Sequence, residues 1–184
     1  KAGLCWFRDI KGELERNGYT HNPYDPCVFN KGVSPNQATV GLHVDDLKCT
    51  AARDSDLDEL ETALTKRYGR LTVHKGRIHN YLGMRMDYTV DGQVKITMLK
   101  YVESILEECG VEGMAKTLAT DNLFELIDSP ELDAGDADWF RRQVPRLNYL
   151  AKRVRPDLLP PVAFLSTRVS KSTEDDYRKL ARVL

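Results

Sequence analysis

Asp45 and Asp46 stand side by side between two apolar runs, Val40-Gly41-Leu42-His43-Val44 before them and Leu47 after them. Two carboxylates a few ångströms apart repel one another, and the arrangement is costly unless a cation neutralises it. Magnesium suits such a pair, because it prefers hard oxygen ligands, takes one or two carboxylates, and completes its shell with water and substrate phosphates. Manganese accepts the same donors. In phosphoryl transfer, two such ions about 4 Å apart activate an attacking hydroxyl and stabilise a leaving pyrophosphate. Asp45 and Asp46 would then act as ligands, not as bases. Taken without its surroundings, an Asp-Asp pair is more commonly a solvated turn.

The other residues able to do chemistry form weaker patterns. His21, His43, His74 and His79, with Cys5, Cys27, Cys49 and Cys109, show no zinc-ligand spacing and no CxxC pair. Ser34, Ser104 and Ser166 lack the glycines of a nucleophile elbow. Lys75 could protonate a leaving pyrophosphate, or it could be a solvated loop lysine.

An Asp pair is useful only if strands and helices hold it in place. Leu4, Phe7, Ile10 and Leu14 repeat at near-helical spacing before Asn17-Gly18, which predicts an amphipathic helix over residues 3–17. Cys27-Val28-Phe29 begins a strand, residues 37–44 alternate as a second, and Leu47 to Thr50 form its hairpin partner with Asp45-Asp46 at the turn. Asp54 or Ser55 can cap a helix carrying Leu57, Leu60, Leu64 and Tyr68 to a stop at Gly69. Leu71-Thr72-Val73, residues 81–89 and residues 94–97 are expected strands, with a hairpin turn at Val90-Asp91-Gly92-Gln93. A helix from Tyr101 ends at Gly110; residues 113–135 have the small and acidic character of a linker. Three helices are expected to follow: one through Phe140, Val144, Leu147 and Ala151, one capped by Asp157, and one with a Thr173/Asp176 capping box. Pro145 falls inside the first of these and should kink it or remove a hydrogen bond.

The bulk composition is that of an ordinary globular chain: 184 residues, 41% hydrophobic, with a net charge of −1. Charge is unevenly placed. Seven acidic residues and no Lys or Arg lie between Asp121 and Asp138, whereas Arg141, Arg142, Arg146, Lys152, Arg153 and Arg155 follow against a single Asp157. A polyanion could meet the second stretch, although a solvated helix face gives the same pattern. No apolar run is long enough to span a membrane and no signal peptide is visible, so a soluble, intracellular chain in a reducing compartment is expected.

The run Gly41-Leu42-His43-Val44-Asp45-Asp46-Leu47 resembles the Tyr-Val-Asp-Asp box of reverse transcriptases, and the surrounding boxes resemble those of the copia-type retrotransposon family in the same order. Ala2-Gly3-Leu4-Cys5-Trp6-Phe7 looks like the segment after the family's Gly-Leu-Lys-Gln, and Asp25-Pro26-Cys27-Val28-Phe29 like its Asp-Pro-Cys-Leu-Phe. Tyr81-Leu82-Gly83-Met84 is similar to the primer-grip box, and Tyr101-Val102-Glu103 with Ile105-Leu106 to the helix after it. Leu147-Asn148-Tyr149-Leu150-Ala151, Arg155-Pro156-Asp157 and Val162 to Ser166 resemble the family's later helices. His43 departs from the usual Tyr, and Val144-Pro145-Arg146 from the usual Val-Gly-Ser.

The resemblance implies an α+β fold: a polymerase palm-like antiparallel sheet covered by helices, followed by a helical thumb and connection region. The expected divisions are a palm-like part over residues 1–98, a thumb helix and acidic linker over 99–135, and thumb or connection helices over 136–184. It implies an RNA-directed DNA polymerase with Asp45 and Asp46 as catalytic metal ligands for Mg2+ or Mn2+, acting on a primed RNA or DNA template and dNTPs. Tyr81, Leu82, Gly83 and Met84 would approach the primer terminus, although Tyr81 and Met84 could equally be sheet-core residues. His43, Arg141, Arg142 and Arg146 would face nucleic acid. The family also implies a longer polyprotein with protease, integrase and RNase H regions, while the lack of a long apolar run leaves no membrane partner expected. The expected location is the cytoplasm, with a virus-like particle or the nucleus as further sites.

The absence of an initiator Met suggests a piece of a longer chain; the resemblance implies a third metal-binding Asp on an earlier strand, for which neither Asp9 on its helix nor Asp25 in its Pro-bounded loop is a substitute, and hence no polymerisation by these residues alone. The alternative is a degenerate or domesticated module that keeps the palm fold and binds nucleic acid or protein without turnover.

Overall fold

The computed structural model describes residues 2–110 and 113–184. They form two compact units, one up to Lys75 and one from Gly76 onward.

The first unit is a sheet with helices on one face. Helix α1 (Ala2–Arg16) buries Ile10 and Leu14, leaves Leu4 exposed, and ends where Gly18 takes a φ of 84° that favours glycine. Four antiparallel strands follow in spatial order: β1 (Thr20–His21), β2 (Val28–Lys31), β3 (Ala38–His43) and β4 (Asp46–Ala51). The short β1 is an element that the periodicity of the chain does not predict. Alternation sorts the side chains of β3: Ala38, Val40 and Leu42 are buried, whereas Thr39, Gly41 and His43 point to the other face. Helix α2 (Asp54–Tyr68) lays Leu60 and Leu64 on the same core as Ile10, Leu14 and Phe29, so both helices cover one face of the sheet. Neither Asp54 nor Ser55 caps α2. The cap position is Arg53, without a side-chain cap bond, and Arg53 instead grips the buried Asp56 at 2.9 Å. The guanidinium holds the Asp56 carboxyl below its ordinary pKa.

The second unit begins with a three-stranded antiparallel sheet, β5 (Ile78–Tyr81), β6 (Met84–Asp87) and β7 (Lys95–Thr97). This corrects the strand expected over residues 81–89, because a tight turn at Leu82-Gly83 divides it. The expected turn at Val90 to Gln93 is present, closed by the Gln93 amide on the Val90 carbonyl at 3.2 Å. Leu71-Thr72-Val73 forms no strand. Helix α3 (Leu99–Cys109) stops at Gly110 in the left-handed conformation.

Helices α4 (Ala134–Ala151), α5 (Leu159–Arg168) and α6 (Glu174–Val183) enclose the larger core, in which Phe140, Val144, Leu165 and Leu180 are fully buried. Met84 packs against this cluster, which groups the second sheet with the helices and not with the first sheet. Asp157 does not cap α5; it lies in a short 3-10 turn, Pro156–Leu158, and both its carboxylate oxygens accept hydrogen bonds from the Arg155 Nε and Nη2 atoms. The Thr173/Asp176 capping box of α6 is formed as expected. Among the described residues, no helix is long and apolar enough to cross a membrane.

Pro145 is exposed in the interior of α4, which runs on through it. Its ring nitrogen has no hydrogen to offer the carbonyl one turn back. Pro145→Ala should raise the unfolding free energy by about 1 to 3 kcal/mol, read as a higher Tm. A lower Tm would mean that the proline ring stabilises α4 by more than the missing hydrogen bond costs.

Candidate active site

The hairpin between β3 and β4 is as tight as a hairpin can be. His43 pairs with Asp46, leaving only Val44 and Asp45 in the turn. The sequence predicts the turn at Asp45-Asp46; it lies one residue earlier, so Asp46 opens β4. His43 and Asp46 are cross-strand partners and therefore share a face, as do Gly41 and Lys48. That face is opposite α1 and α2. Both Asp45 and Asp46 are exposed, and neither side chain has a hydrogen-bond or ion-pair partner among the described residues.

Val44 carries the backbone strain of the site. Its φ is 53°, a left-handed value that β-branched residues rarely adopt, at a cost of about 1 to 3 kcal/mol. Asp45 has no such value: Val44 and Leu82 are the only non-glycine positions with positive φ among the described residues. Positive φ at the first turn residue alone is the type II′ pattern, whose usual occupant there is glycine. Trp6 meets this turn from α1. Its indole Nε1 donates to the Val44 carbonyl at 2.8 Å.

Trp6 is braced from behind. Its ring lies edge-on to Tyr68 of α2, with centroids 5.3 Å apart. The Tyr68 hydroxyl donates to Asp9 Oδ2 at 2.7 Å, and Arg67 Nη2 donates to Asp9 Oδ1 at 2.6 Å. The hydrogen bonds from Tyr68 and Arg67 hold the Asp9 carboxyl below its ordinary pKa, and burial with the Asp9 contact pushes the Tyr68 phenol up to about 12. Asp9 is therefore engaged between the two helices. Asp25 is engaged too, accepting the Cys27 amide at 2.8 Å.

Among the described residues, no three His, Cys, Asp or Glu side chains are grouped to hold a metal ion. The two exposed, unpartnered carboxylates of the hairpin nevertheless fit what a divalent ion asks of a protein that leaves the remaining positions to water and phosphate. Lys48 is a residue that motif reading missed. It lies two positions after Asp46, on the same face of the strand, and burial lowers its ammonium pKa. Period-two alternation counted from Asp46 would have found it. Lys75, in contrast, is tied to Asp58 at 3.0 Å and Glu61 at 2.8 Å, and these carboxylates raise its pKa. A lysine held so firmly in its charged form is a poor proton donor.

In the second unit, Tyr81 and Met84 close a two-residue turn in which Leu82 and Gly83 both have positive φ, 50° and 74°. Both side chains of the closing pair are half-buried. The Tyr149 hydroxyl of α4 donates to the Leu82 carbonyl at 2.6 Å, and the Arg153 guanidinium stacks 3.4 Å from the Tyr149 ring. Arg141 and Arg142 are exposed on α4, with Arg142 3.4 Å from Asp138. Arg146 is engaged with α3, pairing with Glu108 and donating to Ser104 Oγ at 3.2 Å.

An α+β chain that carries adjacent, unneutralised carboxylates at the tip of a helix-backed antiparallel hairpin has the make-up of a nucleotide-polymerase palm. Residues 1–121 match the family described as reverse transcriptase (RNA-dependent DNA polymerase). The match takes in 121 of 184 residues, and the chain belongs to this family. No curated protein and no solved structure gives a match.

Asp9 provides a pH-dependent test of the bracing. A carboxyl whose pKa is lower folded than unfolded contributes stability above the unfolded value, about 4, and loses it as the pH falls through the folded value. Asp9→Asn should therefore lower Tm at pH 7, and the difference from the parent should shrink as the pH is taken below about 4. A difference that stays constant from pH 7 to pH 3 would show that Asp9 does not act through its charge.

Proposed function

We propose that this chain is the palm and thumb portion of a copia-type RNA-directed DNA polymerase, which extends a primer on an RNA or DNA template with dNTPs. The observation that carries the reading is the hairpin tip, where Asp45 and Asp46 are both exposed and unpartnered beside the strained Val44. In the reaction, the primer 3′-oxygen attacks the dNTP α-phosphorus in line, a new P–O bond forms, and pyrophosphate leaves. Divalent ions, magnesium or manganese, would be held by Asp45 and Asp46 and would supply activation of the hydroxyl and stabilisation of the leaving group.

The remaining residues bind and position. His43 shares the face of Asp46 and can stack on or hydrogen-bond a primer end. Lys48 on the same face supplies positive charge for phosphate. Tyr81, Leu82, Gly83 and Met84 form a primer-grip-like turn, and the exposed Arg141 and Arg142 of α4 offer phosphate contacts. Arg146 contributes less directly, by fastening α4 to α3. The functional divisions at residues 98 and 135 belong to this reading, as do a longer polyprotein with integrase and RNase H regions and a cytoplasmic location.

Two carboxylates bind magnesium weakly. In polymerases of the resembled family a third acidic ligand stands on an earlier strand, and this reading requires it for turnover. The isolated chain, given primed template, dNTPs and magnesium, should extend no primer. A longer polypeptide from the same reading frame should extend it, and Asp45→Asn should slow that by about a hundredfold or more, the scale of losing one electrostatic stabiliser of a transition state. Unchanged extension by the Asp45→Asn protein would end the metal-ligand assignment. A longer polypeptide that binds primer-template without extending it would favour a non-catalytic module that keeps the palm fold.

A further inference from the structure

We propose that Trp6 is a positioning residue that pins the Val44–Asp45 peptide at the hairpin tip and thereby sets the backbone from which Asp45 and Asp46 present their carboxylates. The inference rests on the polymerase reading for its catalytic meaning, but the coupling itself is a statement about the turn.

A two-residue hairpin turn can exist in two forms that differ by a flip of its central peptide. In type I′ both residues have positive φ; in type II′ only the first does. The flip reverses the direction of the first residue's carbonyl and changes φ at the second. At this tip the first residue is Val44, the carbonyl that reverses is the one Trp6 holds at 2.8 Å, and the second residue is Asp45. A flip would break the indole hydrogen bond. Trp6 therefore selects the peptide orientation, and with it the φ of Asp45 and the direction of its Cα–Cβ bond. Glycine is the residue that favours type II′ at the first position without help. Val44 has no such preference, so the geometry must be imposed from outside the turn.

The selecting group is itself fixed. Trp6 sits on α1, whose Ile10 and Leu14 are buried in the core, and its ring meets Tyr68, which is hydrogen-bonded to Asp9. A rigid donor 38 residues away in sequence acts on the one peptide that joins the strained residue to the first carboxylate.

The test uses the full 184-residue chain, labelled for NMR, with Mn2+ as the metal probe. Its two tryptophans, Trp6 and Trp139, are distinguished by replacing each with Phe. In the parent, the Trp6 indole N–H should exchange with solvent far more slowly than a free indole. Trp6→Phe should shift the Val44 and Asp45 backbone resonances and weaken Mn2+ binding about tenfold, the scale of one hydrogen bond. Adding Val44→Gly to Trp6→Phe should restore the Asp45 resonances and bring Mn2+ affinity back to within about twofold, because glycine favours the type II′ turn unaided. A merely structural tryptophan would not be rescued at the turn.

Unprotected indole exchange in the parent overturns the proposal without any variant. So does a Trp6→Phe chain with unchanged Asp45 resonances, or a double variant with no recovery. Failure of the polymerase reading looks different: Mn2+ would broaden no resonance from His43 to Lys48 in the parent, while the exchange and shift results still decide the role of Trp6.

Discussion

A hairpin of two turn residues leaves the chain almost no freedom, and this one places a β-branched valine where the backbone must turn left-handed. The strain at Val44 is comparable to one or two hydrogen bonds, so the turn keeps its shape only because its surroundings over-determine it. The paired strands close it on one side through His43 and Asp46. The indole of Trp6 holds its central carbonyl on the other. Everything the site can do depends on that shape, since both carboxylates leave the backbone within two residues of the strained position.

The helices earn their place in this unit by fixing Trp6. Ile10, Leu14, Leu60 and Leu64 bury α1 and α2 against the sheet, which aligns the helix ends that carry Trp6 and Tyr68. Hydrophobic burial is not directional; the hydrogen bonds of Asp9, Tyr68 and Arg67 turn it into a defined geometry. The second unit repeats the device with other residues. Leu82, the other non-glycine position with positive φ among the described residues, also begins a two-residue hairpin turn, and its carbonyl is held by the Tyr149 hydroxyl. In each unit, an aromatic donor on a helix holds the carbonyl of the strained residue.

Much of the fold can be read from the chain itself. The Leu-x-x-Leu spacing of α2, the alternation of β3, the capping box of α6 and the glycine stops at Gly18 and Gly110 are local signals, set by residues a few positions apart, and they place those elements correctly. Legibility fails where a pairing or contact that periodicity does not encode decides. Leu71 to Val73 have strand-forming composition, but no neighbouring strand pairs with them. Asp157 is a good capping residue, but the guanidinium of Arg155 two positions earlier engages both its oxygens in charge-assisted hydrogen bonds. Residues 81–89 suggest one strand because Leu82 does not look like a turn residue; its left-handed backbone coincides with the hydroxyl of Tyr149, 67 positions away.

The candidate site divides in the same way. The Asp45-Asp46 pair, its apolar flanks and the order of the boxes around it are written in the chain, and they suffice for the family. The one-residue offset of the turn, the shared face of His43, Asp46 and Lys48, the engagement of Arg146 by Glu108, and the bond from Trp6 to Val44 were decided by tertiary structure. The reason is physical. Periodicity and residue type describe what a segment prefers on its own, whereas the orientation of a single peptide in a strained turn depends on a donor that only packing brings within 2.8 Å.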